Sequence, residues 1–221
     1  MNKILEINKV AFAYGDVPVL QSVDLSLTAG QFVAVSGDNG AGKSTLMKLL
    51  LGDLRPSQGK IRLFGDLSSE DNHYRDLAYL SQNAVSGYRN FPTTVAELVR
   101  VYLAQLKRKS EPTALLDTVG LSGVRTHRLR ELSGGQLQRV GVLLALLKQA
   151  RLILLDEPTG GIDQKFSLDL YRLLREQCDQ GKTVLMVTHQ LAEVAPFLDA
   201  AYCLSAGSFT PVELEAIGVN R

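Results

Sequence analysis

The segment "GDNGAGKST", residues 37–45, constrains the fold more than any other part of this chain. It fits the pattern GxxxxGK[ST], and it stands between the strand-like "QFVAVS" and the helix-like "STLMKLLLG". In such a loop the glycines let backbone amides wrap around phosphate groups, and the N-terminus of the following helix adds the positive end of its dipole. The pattern therefore predicts a nucleotide-phosphate site in an α/β fold.

The residues of this loop have different expected contacts. Lys43 is expected to reach the β- and γ-phosphates, and the Ser44 hydroxyl is expected to ligate Mg²⁺. The other loop residues that we expect to bind the nucleotide are Gly37, Asn39, Gly40, Ala41, Gly42 and Thr45.

Polar residues also follow three further strand-like runs. Asp156 ends "LILLD", at the carboxyl end of a predicted buried strand, where open α/β sheets bind ligands, and we expect it to orient the Mg²⁺ shell. Glu157 comes next and is predicted to be the catalytic group that polarises the attacking water. Gln82 and His189 end "LAYLSQ" and "TVLMVTH". We expect Gln82 to sense Mg²⁺ or water and His189 to hydrogen-bond the γ-phosphate.

The hydrophobic pattern predicts how the chain is organised. The C-terminal half alternates apolar strand-like runs with helical patterns, near residues 164–178 and 190–197, which is typical of a mostly parallel sheet covered on both faces. The first thirty residues alternate apolar and polar side chains, which favours antiparallel strands. Residues 83–140 break the alternation and are interpreted as an inserted helical subdomain. The α/β core then comprises residues 1–82 and 141–221, in a single domain.

Composition excludes several classes of protein. A net charge of +1 gives no electrostatic case for nucleic acid as a partner. The longest apolar stretch, residues 140–147, is far too short to span a bilayer, and the N-terminus has no signal-peptide core. Cys178 and Cys203 lack metal-site spacing and are predicted to be buried free thiols. We expect a cytosolic chain, with His73 and His127 on its surface.

A second glycine-rich motif, "LSGGQ", occupies residues 132–136. With the first loop and the strand-end residues, it makes the chain resemble the ATP-binding subunits of ABC transporters, from about residue 4 to about residue 207. In that family two subunits pair head to tail, and the signature loop of one covers the γ-phosphate bound to the other. The resemblance implies that the two motifs serve different sites. A helix N-terminus near Gln136 would help to bind the anion.

The resemblance also implies a P-loop NTPase core, the ligands ATP and Mg²⁺, and individual roles. Tyr14 matches the aromatic residue that stacks on adenine, although an edge-strand tyrosine is the plain alternative. Asp163 matches an aspartate that contacts the partner subunit, and Gln82 and His189 match the Q-loop and the switch histidine. The residues expected to face the partner's nucleotide are Ser133, Gly134, Gly135 and Gln136.

Three positions depart from the family pattern. Leu144 stands where an arginine is usual, Ala150 where proline is common, and Leu137 where a polar residue is usual. None of them removes a catalytic group. They leave open the rate of hydrolysis and the coupling of the dimer.

The implied partners are a second copy of the chain and integral membrane permease subunits, which would hold it at the cytoplasmic face of the membrane. The loop after Gln82 and the helical subdomain would receive the permease's coupling helix. A soluble ABC ATPase of translation or DNA repair is the alternative, but such relatives usually carry two cassettes, zinc modules or long coiled coils. A P-loop kinase or GTPase does not need "LSGGQ".

The cargo is indicated only by resemblance outside the site. Residues 79–99, "YLSQNAVSGYRNFPTTVAELV", resemble the Q-loop region of zinc and manganese uptake ATPases, and "DEPTGGID" resembles their corresponding stretch. Pro92 and Thr93 could equally begin a helix as a proline and an N-cap. Divalent-metal import is the hypothesis, with import of another small solute, or export, as the alternatives.

Overall fold

The computed structural model describes residues 2–71, 73–81, 87 and 89–217. Their strands are β1 (Lys3–Tyr14), β2 (Val17–Thr28), β3 (Phe32–Ser36), β4 (Gln58–Leu63), β5 (Asp66–Leu67), β6 (Leu77–Leu80), β7 (Leu152–Asp156), β8 (Thr183–Val187), β9 (Ala200–Ser205) and β10 (Ser208–Val212). Their α-helices are α1 (Lys43–Leu50), α2 (Val95–Gln105), α3 (Pro112–Asp117), α4 (Gly134–Leu147), α5 (Gln164–Asp179) and α6 (Leu191–Val194). Short 3₁₀ helices cover Ser122–Val124, Leu129–Glu131, Ala195–Phe197 and Leu214–Ile217.

The larger sheet has the order β10-β9-β3-β8-β7-β6. Its strands run parallel except for β10, which pairs antiparallel with β9 at one edge. Every residue of β7 and β8 is buried, as expected for central parallel strands whose two faces are both covered. The predicted α/β class is confirmed.

The N-terminal strands form a separate antiparallel sheet in the order β2-β1-β4-β5. Buried and exposed residues alternate along the second half of β2, so one face of this sheet packs against the core and the other is exposed to solvent. The antiparallel prediction for the first thirty residues is confirmed.

The hydrophobic core lies on both faces of the parallel sheet. Alternate residues of β3 face opposite ways, so Phe32 and Ala34 join one buried cluster while Val33 and Val35 join the other. The first cluster includes residues of α2, α4 and α5, and the second includes α1 and the antiparallel sheet. The helices of the 95–147 segment therefore share a core with the sheet.

Several local predictions need correction. α4 begins at Gly134, two residues earlier than expected, because Ser133 caps it. The N-cap of α2 is Thr94 rather than Thr93, and its capping box is completed by Glu97. The helix expected over 190–197 is α6 followed by a 3₁₀ turn. The proposed subdomain boundary at residues 140 and 141 falls within α4, and the division itself stays a prediction.

The burial of two side chains differs from the prediction: His73 is more buried than expected, and Cys203 is less buried. His73 is half-buried rather than exposed, because its ring packs edge-on against Phe64 with the centroids 5.0 Å apart. Cys178 is buried, which raises the pKa of its thiol to about 12, but Cys203 is only half-buried. His127 is exposed, as predicted. Within the described residues no helix is both long enough and apolar enough to cross a bilayer.

Candidate functional site

A cavity of about 750 Å³ lies where β3, β7 and β8 end. The residues that line it are Tyr14, Val19, Gly37, Asp38, Asn39, Gly40, Gly42, Lys43, Ser44, Thr45, Asp156, Glu157 and His189. The fold thus brings together the predicted phosphate loop, the two acidic residues, the switch histidine and the predicted adenine-stacking tyrosine. Ala41 packs against the core instead, and Gln82 lies outside the described residues.

The phosphate loop has a backbone that only glycine adopts readily. Gly37 and Gly42 have φ angles of 152° and 105°, in the region that L side chains rarely occupy. A Cβ on Gly37 would also lie 2.2 Å from the carbonyl oxygen of Leu204. Glycine is therefore required at these positions by the fold, before any ligand is considered.

The N-terminus of α1 opens into this cavity. Its N-cap is Gly42, and no side chain caps the helix. The first intrahelical bond runs from the Leu46 amide to the Gly42 carbonyl, so the amides of Lys43, Ser44 and Thr45 precede the helical ladder. Uncapped first-turn amides and the helix dipole make a site for an anion, so the cradle fits a phosphate group.

Lys43 supplies the cation of the site. Its residue is only 9% exposed, and its Nζ donates to the carbonyl oxygens of Gly37 at 2.6 Å and Asp38 at 2.9 Å. The loop's own carbonyls therefore hold the ammonium group beside the uncapped amides, where it can neutralise phosphate charge.

Asp156 and Glu157 also line the cavity. Burial raises the pKa of Asp156, the neighbouring Glu157 raises it further, and Lys43 partly offsets both effects. The Ser44 hydroxyl and the Asp156 carboxylate are hard oxygen donors of the kind that Mg²⁺ prefers, so the residues present fit that ion.

Glu157 has an uncommon backbone conformation and a direct partner. Its φ angle is 51°, in the left-handed region, and its amide donates to the Val187 carbonyl at 3.0 Å. Its Oε2 lies 2.8 Å from Nδ1 of His189, whose side chain is 62% exposed. Sequence reasoning gave these two residues separate tasks and missed that they hydrogen-bond each other.

The signature segment lies outside this cavity. The Gln136 amide donates to Ser133 Oγ at 3.2 Å, and the Ser133 amide donates to Gln136 Oε1 at 2.9 Å, which forms a capping box. Ser133 and Gly134 are exposed. None of the four predicted signature contacts therefore lines the chain's own phosphate cavity.

Asp163 also lies outside the cavity and caps α5. Its Oδ1 accepts a 3.0 Å hydrogen bond from the Phe166 amide, and its other oxygen pairs with Arg139. These interactions, the backbone hydrogen bond above all, lower the pKa of Asp163. Sequence reasoning did not find Arg139, because nothing in the spacing places it beside the aspartate.

The three departures from the family pattern are all buried. Leu137, Leu144 and Ala150 are 2%, 6% and 2% exposed and belong to the core cluster on the α4 face of the sheet. They act on packing, and none of them lines the phosphate cavity.

A family model described as ABC transporter matches residues 20–160, well over half of the chain. The chain belongs to the ABC transporter family. It is an ATP-binding subunit of that family and an ATPase.

Two curated relatives and one solved structure illustrate the likeness. The zinc uptake system ATP-binding protein ZurA of Listeria innocua is 34% identical over 90% of this chain and 81% of its own length. The macrolide export ATP-binding/permease protein MacB of Marinobacter nauticus is 37% identical over 87% of this chain, but over only 32% of its own length. The structure of cbiO1 from Clostridium perfringens, part of the ABC transporter complex cbiONQ, has a TM-score of 0.82. It is 23% identical, over 99% of this chain and 91% of that chain, and so shows the fold alone.

Proposed function

We propose that this subunit drives the import of a divalent metal, zinc or manganese, by closing head to tail with a second copy when both bind ATP. In this proposal it works at the cytoplasmic face of a membrane with separate permease subunits. The observation that carries the pairing is that the exposed signature segment lies outside the chain's own phosphate cavity.

The cavity residues have the following proposed roles. Lys43 and the first-turn amides of α1 bind the phosphates, and Tyr14, which is 48% exposed at the cavity rim, stacks on adenine. Glu157 orients the attacking water. His189 holds Glu157 through its Nδ1 and is close enough to the cavity for its other nitrogen to approach the γ-phosphate.

Ser44, Asp156 and Gln82 are proposed to hold Mg²⁺, Gln82 on family resemblance alone. When bound, the ion would neutralise charge that develops on the phosphate oxygens. Asp156 suits this role because it is buried beside a second carboxylate, and a cation would relieve that repulsion.

Head-to-tail pairing would give each motif its own partner. Ser133, Gly134, Gly135 and Gln136 would meet the γ-phosphate held by the second copy, and Asp163 would lie at the same interface. This division also follows the proposed domain plan, with residues 83–140 as a helical subdomain and residues 1–82 and 141–221 as the core.

A second cavity, of about 330 Å³, supports docking of a permease helix. It lies between β6, α2 and α4, and Tyr102, Leu144 and Lys148 are among the residues that line it. At its edge the Lys148 ammonium lies 3.7 Å from the ring centroid of Tyr74, which is 74% exposed. A groove of mixed polar and apolar lining with an exposed aromatic rim suits an amphipathic short helix. Leu144, a departure from the family pattern, would then adapt the groove to this chain's own permease.

The proposed cargo rests on the relatives rather than on the site. ZurA is a zinc uptake protein, whereas MacB is an export protein of comparable identity to this chain. The capping box of Thr94 and Glu97 gives part of the resembling segment a purely structural reason, so that segment carries little weight. Metal import is preferred because the match covers most of ZurA's length but only 32% of MacB's.

Size-exclusion chromatography tests the pairing. Glu157→Gln should still bind ATP but hardly hydrolyse it, and with ATP and Mg²⁺ it should elute as a dimer. Adding Ser133→Arg should abolish the dimer, because a bulky side chain would occupy the place of the γ-phosphate. A dimer that persists in the double variant would contradict the head-to-tail arrangement.

Cellular metal content tests the cargo. Deleting the gene should lower zinc or manganese accumulation under metal starvation, and a copy carrying Glu157→Gln should not restore it. Unchanged metal content, with a defect in another solute, would refute metal import and leave the ATPase intact. Co-purification with an integral membrane protein from detergent-solubilised membranes separates a transporter subunit from a soluble ABC ATPase.

A further inference from the structure

The first turns of α4 lie against the loop that carries Glu157. This loop, residues 157–163, is called the catalytic loop below. A Cβ built on Gly135 would lie 2.9 Å from the carbonyl oxygen of Gly161, so the two backbones are in close contact. The φ angle of Gly135 is not positive, which means that its glycine is needed here for the approach rather than for the conformation.

Gln138 forms the second contact between α4 and the catalytic loop. It is 5% exposed, and its Nε2 donates to the Glu157 carbonyl at 3.4 Å. Glu157 is a non-glycine residue with a positive φ angle, and such a conformation persists only where the surrounding structure fixes it. The bond from Gln138 acts on the peptide group that follows this strained residue.

Arg139, the next residue, forms the third contact. Its guanidinium pairs with the Asp163 carboxylate, lies 4.0 Å from the ring centroid of Phe166, and approaches the Val119 carbonyl at 3.5 Å. The side chain is only 20% exposed, so it is fixed on several sides. Gln138 and Arg139 therefore reach from one helical turn to opposite ends of the catalytic loop.

We propose that Gln138 and Arg139 are positioning residues that fix the catalytic loop to the signature helix. Through them, contact between this chain's signature segment and the partner's nucleotide is transmitted to this chain's own Glu157. The transmission deepens the head-to-tail pairing proposed above and rests on it. The positioning of Glu157 within one chain does not.

Steady-state kinetics of variants in which every chain carries the same substitution test the positioning of Glu157. Gln138→Met nearly preserves the buried volume but cannot donate a hydrogen bond. We expect kcat to fall on the order of ten- to a hundredfold, with KM for ATP and the affinity for a non-hydrolysable ATP analogue unchanged, since the phosphate loop is untouched. Gln138→Asn, which keeps the amide, should recover part of the loss. An unchanged kcat in folded Gln138→Met, or a loss confined to thermal stability, would overturn the proposal.

The Arg139 contact is tested by a variant that removes the ion pair with Asp163 but leaves residue 163 able to cap α5. Asp163→Asn can still accept from the Phe166 amide but loses the charge that faces Arg139. It should lower kcat by about the same factor as Arg139→Gln, and the double variant should lose little more. Arg172→Gln removes the exposed pair with Asp169 on the same helix, α5, and is the matched control that leaves kcat unchanged. Additive losses in the double variant would contradict a shared role.

Mixed dimers test the transmission. In each mixed dimer one chain is intact and hydrolyses ATP with its own Glu157, while its signature segment faces the site of an inactive partner. The partner carries either Glu157→Gln, which still binds ATP, or Lys43→Ala, which binds it weakly. Gln138→Met on the intact chain should lower hydrolysis more with the Glu157→Gln partner, because only that partner presents a bound nucleotide to the intact chain's signature segment. Equal losses in the two arrangements would overturn the proposal. If no mixed dimer forms, the pairing itself fails, while the kinetics of single variants still decide the role of Gln138.

Discussion

Two helix N-termini in this chain carry glycine-rich motifs, and they are built in opposite ways. α1 begins at Gly42 without a side-chain cap, so its first-turn amides open into the phosphate cavity. α4 begins after Ser133, whose hydroxyl and amide are both engaged by Gln136. The first helix end is prepared for an anion within the chain. In the second, Ser133 already satisfies the Gln136 amide, which leaves fewer first-turn amides for an anion.

The glycines of the two motifs differ in the same way. Gly37, Gly40 and Gly42 all have positive φ angles, so the phosphate loop needs glycine to fold. Gly134 has no such angle, and a Cβ built on it would meet nothing within 4 Å. Nothing within a single chain therefore requires glycine at position 134, whereas a γ-phosphate presented by a second copy would.

The largest expected effect is at the N-terminus of α1, called the open helix end because no side chain caps it. Lys43→Ala removes the only side-chain cation that lines the described phosphate cavity, and we expect ATP hydrolysis to fall by about a hundredfold or more, with weakened nucleotide binding. Steady-state ATPase assays and titration with a fluorescent nucleotide measure the two effects. Lys48→Ala, an exposed position on the same helix, is the control. Wild-type affinity in Lys43→Ala would remove the distinction between the two helix ends.

An intermediate effect is expected for Gly134→Ala. The added methyl group meets open space in the single chain, so stability should be unchanged or increase by up to about 1 kcal/mol. In a head-to-tail dimer the same methyl would crowd the γ-phosphate, and ATPase activity should fall by about tenfold. Gly123→Ala, at another glycine with open space, should leave activity unchanged. Full activity in Gly134→Ala would mean that the signature amides do not approach a phosphate.

A smaller effect is expected when the N-terminus of α4, called the closed helix end, loses its Ser133 cap. Ser133→Ala removes the hydroxyl that accepts from the Gln136 amide, which should cost about 1 kcal/mol of stability and lower Tm by roughly 2–4 °C. Thr94→Ala removes the equivalent cap of α2 and should cost a similar amount without changing ATPase activity. If both variants keep full activity, the cap of α4 has no part in the reaction.

The sequence predicted the open helix end well because its chemistry is local. The phosphate loop joins a strand to a helix, and Asp156, Glu157 and His189 each follow a buried strand, so parallel topology alone brings them to one rim. The same reasoning did not find the bond from Glu157 to His189, since it depends on the side-chain conformation of residues that lie far apart in the sequence.

The closed helix end was predicted less well because its geometry depends on packing. The start of α4 was predicted near Gln136, whereas the helix begins at Gly134, where the capping box of Ser133 and the close contact of Gly135 with Gly161 fix its first turn. The bonds from Gln138 and Arg139 to the catalytic loop connect segments about twenty residues apart and leave no periodic signal in the sequence.

The smallest expected effect is a gain in stability at the open site. Burial beside Glu157 raises the pKa of Asp156, so the folded chain holds this proton more tightly than the unfolded chain does. The folded state is therefore destabilised as pH rises from the ordinary aspartate pKa through the raised one, and the full cost remains at neutral pH.

Asp156→Asn removes that cost. In the absence of nucleotide and divalent cations it should unfold at a higher temperature than the wild type at pH 7, and the difference should vanish below about pH 4. Asp16→Asn, at an exposed position, should show no such pH-dependent gain. A variant less stable than the wild type at pH 7 would show that hydrogen bonds of the carboxylate outweigh its desolvation, and that the open site is less strained than the raised pKa of Asp156 indicates.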